Sequence, residues 1–246
     1  MRFKLVTMKK IKSVCVYCAS SSKINPDYFE AAREIGQLLA QRGMRCVCGA
    51  GNQGLMGTLA DSVLAHGGEV LGVIPQFMID EGWCHPGLTQ TVVTADMHER
   101  KERMAQEADA VIALPGGCGT LEELFEIITW KQLGLFLNPI VILNIDGYYD
   151  PLIAMLNKAI DENFMRHEHA RLWQVAQTPQ EAIDDTDYGN PAADIGRVRY
   201  YSAVENDTLR VISQKKGVAL SVLSELNPDI TNPDAVIAYG RLIRIR

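Results

Sequence analysis

The sequence predicts an α/β fold, a parallel sheet covered by helices on both faces, followed by a small C-terminal module of order βααβ. Three observations lead there. Short apolar runs of strand length alternate with segments whose apolar residues recur at three- and four-residue steps. Glycine clusters stand between two of those runs and the helices that follow them. A polar stretch, Asp184-Asp185-Thr186-Asp187-Tyr188-Gly189-Asn190-Pro191, then interrupts the pattern, and the chain beyond it has a different rhythm. The expected organisation is a first domain over residues 1–184, a linker over 185–197 and a module over 198–246.

In chain order, residues 14–18 read as a buried strand and 19–22 as the loop after it. Residues 28–41 form a helix with Phe29, Ala32, Ile35, Leu38 and Leu39 on one stripe, ended by Gly43. Residues 45–48 are a second strand, after which Gly49-Ala50-Gly51-Asn52-Gln53-Gly54 leads into a helix to residue 65. Residues 70–74 are a third strand. Residues 75–90 are irregular and sit where a lid is expected. Residues 94–108 are helical and carry the basic cluster Met97-His98-Glu99-Arg100-Lys101. A buried strand at 111–114 precedes a helix with Leu121, Leu124, Phe125, Ile128 and Leu133 at helical spacing. Residues 139–144 are a strand, 150–164 a helix, 172–176 a short strand and 180–183 a short helical stretch. In the module, 198–204 is a strand and a short helix runs from Asp207 to Gly217. A second helix at 220–226 is stopped by Asn227-Pro228, and 240–245 is a closing strand. Right-handed crossovers put the loops after the strands along one sheet edge, where open sheets of this kind bind ligands.

With 246 residues, 47% of them hydrophobic, the chain can build one large core or a medium and a small one. Its net charge of −6 argues against a broad nucleic-acid surface but not against a local basic pocket. No apolar run reaches export or membrane-spanning length, so the expectation is a cytoplasmic protein without membrane contact, with Met8 as an alternative start. The six cysteines are expected to be free thiols. Cys15-x-x-Cys18 and Cys46-x-Cys48 have metal-like spacing, yet both lie in strands, where Cys15 and Cys18 point to opposite faces. No metal is therefore expected. Gly49-x-Gly51-x-x-Gly54 resembles a dinucleotide fingerprint, but Glu69 precedes the next strand rather than following it. These glycines are read as the floor of a smaller nucleotide pocket.

The chemically informative stretch is Val111-Ile112-Ala113-Leu114-Pro115-Gly116-Gly117-Cys118-Gly119-Thr120-Leu121-Glu122-Glu123. A strand that turns through glycines into a helix start leaves backbone N–H groups pointing outward with the positive end of the helix dipole behind them, which suits a phosphate. Thr120-x-x-Glu123 also fits a capping box, in which the two side chains satisfy each other's backbone donors. Spacing leaves both readings open, and the excess of glycine favours the anion site.

Pro115-Gly116-Gly117-Cys118-Gly119-Thr120-Leu121-Glu122-Glu123, joined to Met97-His98-Glu99-Arg100-Lys101, resembles the LOG family. These are cytokinin-activating nucleotide phosphoribohydrolases once labelled lysine decarboxylases. The likeness continues through Ile128-Thr129-Trp130-Lys131-Gln132-Leu133-Gly134 and Asp146-Gly147-Tyr148-Tyr149 and spans residues 13–183. It implies a Rossmann-like fold, a homodimer, and hydrolysis of the N-glycosidic bond of a nucleoside 5′-monophosphate such as AMP or a cytokinin ribotide. No cofactor and no PLP site are implied. Carried over by motif, Arg100 and Glu123 are the catalytic pair. Lys101, Gly116, Gly117, Cys118, Gly119, Thr120, Leu121, Glu122 and Thr129 line the substrate pocket, and Glu81 stands beside the position of a loop glutamate. The tail resembles a LysM module through Asp207-Thr208-Leu209, Lys216-Gly217-Val218, Leu226-Asn227-Pro228-Asp229 and Gly240-Arg241-Leu242-Ile243-Arg244-Ile245. That resemblance implies an N-acetylglucosamine glycan as ligand. Asn206 stands where such modules have glycine, and Asn is the next-best residue for a left-handed turn.

In the expected chemistry, the turn holds the 5′-phosphate through backbone N–H groups and the Thr120 hydroxyl. Glu123 faces the sugar and handles the water, and Arg100, always protonated, orients substrate and carboxylate. Protonation of the leaving base is unassigned, with His98 as a candidate. The alternative is a non-catalytic carrier that holds a nucleotide or pterin cofactor on the same turn.

Overall fold

The structure, a computed structural model, describes residues 11–187, 200–216, 219–238 and 241–244. The chain divides into two compact units, Met1–Ile195 and Gly196–Arg246. The first alternates strands and helices: β1 (Ser13–Tyr17), α1 (Pro26–Gln41), β2 (Arg45–Cys48), α2 (Gly54–Ala65), β3 (Val70–Pro75), the short α3 (Gln76–Asp80), β4 (Gln90–Thr94), α4 (Met97–Gln106), β5 (Ala110–Ala113), α5 (Cys118–Leu133), β6 (Ile140–Leu143), α6 (Asp150–Asp161), β7 (Gln174–Ala176) and α7 (Pro179–Asp187). The seven strands form one parallel sheet in the order β4-β3-β2-β1-β5-β6-β7.

Strand alternation builds two cores, one on each face. Val14, Val16, Cys46, Cys48 and Ile112 pack with Ile35 and Leu39 of α1, Leu55 and Leu59 of α2, and Ile183 of α7. Cys15, Tyr17, Val47, Val73 and Val111 pack with Met104 of α4, Leu124 and Ile128 of α5, and Leu156 of α6. Cys15 and Cys18 thus enter opposite cores, as their spacing on a strand requires, and six free cysteines are found.

Three local expectations are corrected. The segment read as irregular and then helical contains an edge strand, β4, whose sequence Gln90-Thr91-Val92-Val93-Thr94 is mostly exposed and so lacks the apolar run of an inner strand. Helix α4 consequently begins at Met97, not at 94, because Asp96 caps it: its carboxylate accepts from His98 N and Glu99 N at 2.8 and 2.9 Å. Helix α7 runs on to Asp187, into the stretch expected as linker, with Ala182, Ile183 and Thr186 buried. Residues 188–197 of that stretch lie outside the described residues, as does Met8.

The second unit contains β8 (Tyr200–Ser202), α8 (Leu209–Lys216), α9 (Leu220–Leu226) and β9 (Leu242–Arg244), with β8 and β9 antiparallel. Its core is small: Ala203, Leu209, Ile212, Leu223, Ile237 and Ile243. Asn206 adopts φ +65°, the left-handed turn expected of it. Buried Asp207 accepts from Val204 N at 2.9 Å and from Lys215 Nζ at 2.6 Å, fixing that turn to α8. Gly217, Val218, Gly240 and Ile245 of the tail motifs are outside the described residues.

Candidate active site

The strand order reverses between β1 and β5, whose neighbours then run outward in opposite directions. The loops after such a pair diverge and leave a crevice at their carboxyl ends. Here those loops are Cys18–Ala19–Ser20–Ser21 and the glycine turn, and a cleft of 360 Å³ opens between them. Arg100, Gly117, Cys118, Gly119, Thr120, Glu122 and Glu123 line it, together with Met56, Met78 and Met97.

The capping-box reading fails at this turn. Helix α5 starts at Cys118, two residues before Thr120, with Gly117 as its N-cap and no side chain capping it. Leu121 N donates to Gly117 O at 3.0 Å and is the first rung of the ladder. The N–H groups of the preceding turn have no intrahelical partner by geometry, and Gly117, Cys118 and Gly119 are exposed. Gly116 is required by close approach: a Cβ there would stand 2.2 Å from Thr120 Oγ1. Two tyrosines of the Asp146-Gly147-Tyr148-Tyr149 segment hold the turn from behind. Tyr149 Oη donates to Leu114 O at 2.6 Å and Tyr148 Oη to Gly116 O at 2.7 Å. In the sequence this segment marks only the family resemblance.

Arg100 and Glu123 meet. Arg100 Nη1 donates to Glu123 Oε1 at 2.8 Å, and Arg100 Nε donates to Val73 O, within β3, at 3.1 Å. Both residues are buried. Gly49 makes room for the guanidinium, since a Cβ there would stand 1.8 Å from Arg100 Nη2. The glycine after β2 therefore serves the arginine as well as the pocket floor. Burial pushes the Glu123 carboxyl above its ordinary value and outweighs the opposing pull of Arg100. The result is an ionisable carboxylate with a raised proton affinity, fixed in orientation at the mouth of a helix start.

The other expected residues fall in different places. Lys101 is buried and bonded to Glu122 and to Glu126, the latter at 3.2 Å. Burial alone would lower its amine, but the two carboxylates hold it above the ordinary lysine value. It points into this ion-pair group beside the cleft. Leu121 packs against the core cluster under α5. Thr129 is exposed farther along α5 and its hydroxyl donates to Phe125 O at 2.7 Å. Glu81 is exposed at the C-terminal end of α3. His98 is exposed on the first turn of α4. Ser20, Ser21, Met56, Met78 and Met97 line the cleft and were missed as site residues. The signal that could have found the serines is their place directly after β1, once β1 and β5 are seen to flank the reversal point.

Comparisons with known proteins show the family of the chain. The family model described as "Possible lysine decarboxylase" matches residues 56–186. A cytokinin riboside 5′-monophosphate phosphoribohydrolase of Arabidopsis thaliana is 42% identical over 188 residues, covering 76% of this chain and 87% of that protein. The chain belongs to the LOG family. A probable member from Oryza sativa subsp. japonica is 40% identical over 187 residues, covering 76% of this chain and 77% of the relative. Among solved structures, a molybdenum cofactor carrier protein of Chlamydomonas reinhardtii superposes with a TM-score of 0.55 at 20% identity, over 71% of this chain and 94% of that one. A molybdenum cofactor binding protein of Rippkaea orientalis gives 0.54, also at 20% identity, over 71% and 94%. At that identity the likeness concerns the fold. Among the described residues no helix is long and apolar enough to cross a membrane.

Proposed function

We propose that this LOG-family chain hydrolyses the N-glycosidic bond of a nucleoside 5′-monophosphate, AMP or a cytokinin ribotide, to free base and ribose 5-phosphate. The observation that carries the reading is the buried Arg100–Glu123 pair beside an uncapped glycine-rich helix start. A phosphate site alone has no use for a carboxylate close by, and the pair is costly to bury. The N–H groups of residues 117–120 and the Thr120 hydroxyl hold the 5′-phosphate. Glu123 faces the anomeric carbon, stabilises the cationic sugar as the bond to the base breaks, and takes a proton from the attacking water. Arg100 orients Glu123 through its charge-assisted bond and contacts the phosphate or ribose. The names of the relatives support the same chemistry. The test is ribose 5-phosphate release from AMP and from the unphosphorylated nucleoside. Release from AMP with little from adenosine is expected. Tight AMP binding without release would instead make the chain a carrier.

Three further readings belong to this proposal. A homodimer is supported by Phe125 and Leu133, exposed apolar residues four positions either side of Thr129 on α5. Two copies meeting on that stripe would bring Thr129 to the interface, and sedimentation tests it. The βααβ order with antiparallel ends supports a LysM-like module over residues 198–246, with an N-acetylglucosamine glycan as its ligand. The compartment is read as cytoplasmic.

A further inference from the structure

Ala50 adopts φ +61°, a left-handed conformation that a residue with a Cβ rarely takes, and it is fully buried. It is the second residue of the glycine loop after β2. On one side stands Gly49, whose backbone walls the seat of the Arg100 guanidinium. On the other stands Gly51, whose N–H donates to Met56 Sδ at 3.2 Å. A backbone of this kind persists only where its surroundings fix it. Here the fixing comes from the segment after α3. His85 N donates to Ala50 O at 2.8 Å, Asn52 N donates to Trp83 O at 3.0 Å, and Gly51 and Cys84 form an antiparallel bridge. Asn52 Nδ2 adds a bond to Gly82 O at 2.9 Å. Residues 82–85 thus run along the loop and hold it from outside.

That segment is itself fastened by the His85 side chain. Gly87 N donates to His85 Nδ1 at 3.0 Å, so Nδ1 is the ring acceptor and Nε2 carries the proton. Nε2 donates to Asp61 Oδ1 of α2 at 3.0 Å. Both ring nitrogens are therefore engaged, one within the segment and one across to α2, and the imidazole has a single orientation. The His85 side chain is 10% exposed and that of Asp61 75%. Neither residue lines the cleft that holds Arg100 and Glu123. Contacts nevertheless lead inward from their bond: His85 N to Ala50 O, Ala50 to Gly49, and Gly49 to the guanidinium that bonds Glu123.

We propose that His85 and Asp61 are positioning residues for the Arg100–Glu123 pair: their bond locks residues 82–87 to α2, and the locked segment keeps Ala50 in the conformation that seats Arg100. The effect on rate rests on the phosphoribohydrolase reading. The segment after α3 is then a fixed brace and not a lid.

The test measures AMP hydrolysis, and backbone hydrogen exchange by mass spectrometry, for the wild type, His85→Ala, Asp61→Ala, Asp61→Asn and His85→Ala combined with Ala50→Gly. Exchange over residues 49–53 and 82–87 is expected to quicken in His85→Ala and in Asp61→Ala, where an exposed side chain is removed and folding is not at risk. In both, kcat should fall by about 10- to 100-fold, the effect of misplacing a catalytic group by about 1 Å. KM for AMP should stay within a few-fold, because the phosphate turn is built on β5 and α5. Loosening Arg100 also removes part of its pull on Glu123, so the acid limb of kcat/KM should move to higher pH, which a plain loss of stability would not do. Asp61→Asn keeps an acceptor for Nε2–H and should match the wild type. Ala50→Gly makes the left-handed turn unstrained and should recover most of the rate lost in His85→Ala. Wild-type kcat and acid limb in His85→Ala and Asp61→Ala, or a loss in Asp61→Asn as large as in Asp61→Ala, overturns the proposal. Absence of ribose 5-phosphate release from the wild type overturns the hydrolase reading instead; the exchange pattern then decides the brace by itself, and unchanged exchange in both alanine variants overturns it.

Discussion

Glu123 is under two opposed influences, and their balance sets its chemistry. Burial disfavours its charge, Arg100 favours it, and burial wins. A base with a raised pKa loses activity as pH falls through that raised value. The acid limb of kcat/KM is therefore expected above the ordinary carboxylate value of 4.5, and Arg100→Met should move it to still higher pH while lowering the rate. A limb that stays in place in the variant would separate the two residues functionally. Cys118 offers a second check. It is the exposed cysteine at the first position of α5. Alkylation there should abolish AMP binding, and AMP should protect the thiol; labelling that leaves binding intact would take the phosphate off the turn. Arg100 and Glu123 were legible because their motifs are specific. The path of Lys101 was not, because its partners Glu122 and Glu126 come from a helix that only the fold brings alongside.

Helix α5 serves the site at one end and the core at the other. Its buried stripe runs from Thr120 through Leu124, Ile127 and Ile128 to Lys131, which is fully buried and whose Nζ has no hydrogen-bond partner among the described residues. Burial lowers that amine from 10.5 to about 7. Between those values the unfolded chain holds a proton that the folded chain has released, so wild-type stability rises with pH across the window. Lys131→Met should stabilise the chain by on the order of 3–5 kcal/mol below pH 7, with the gain vanishing toward pH 10.5, as read from denaturation midpoints. A gain independent of pH would mean that the amine is not desolvated. Behind the turn, Tyr148→Phe removes one bond to Gly116 O and should raise KM for AMP several-fold while leaving the fold intact. Inner strands such as β2 were legible from their apolar runs, whereas edge strand β4, exposed along most of its length, was not.

At the scale of the molecule, the cleft is where it is because the sheet reverses between β1 and β5. Alternating strands and helices were enough to read a parallel sheet, but not to order it. That order depends on which strands pair, and pairing is non-local. A neighbouring chamber lined by Met56, Met78 and Trp83 was invisible for the same reason: its walls come from separate segments joined by the Asn52–Trp83, Ala50–His85 and Asn52–Gly82 bonds. All residues lining the cleft belong to the unit Met1–Ile195. A chain ending at Ile195 should accordingly release ribose 5-phosphate from AMP at close to the full-length rate. Loss of the reaction on truncation would give the second unit a part in catalysis.

The central claim is that Glu123 performs the chemistry while the glycine turn holds the phosphate. The most direct measurement is AMP hydrolysis together with AMP affinity for Glu123→Gln. Positioned acid–base groups contribute about 10²–10⁴-fold, so the rate should fall by at least two orders of magnitude while AMP binding stays within a few-fold of wild type. Hydrolysis within a few-fold of wild type would remove Glu123 from the reaction, and loss of AMP binding with the rate would make it a structural partner of Arg100 alone.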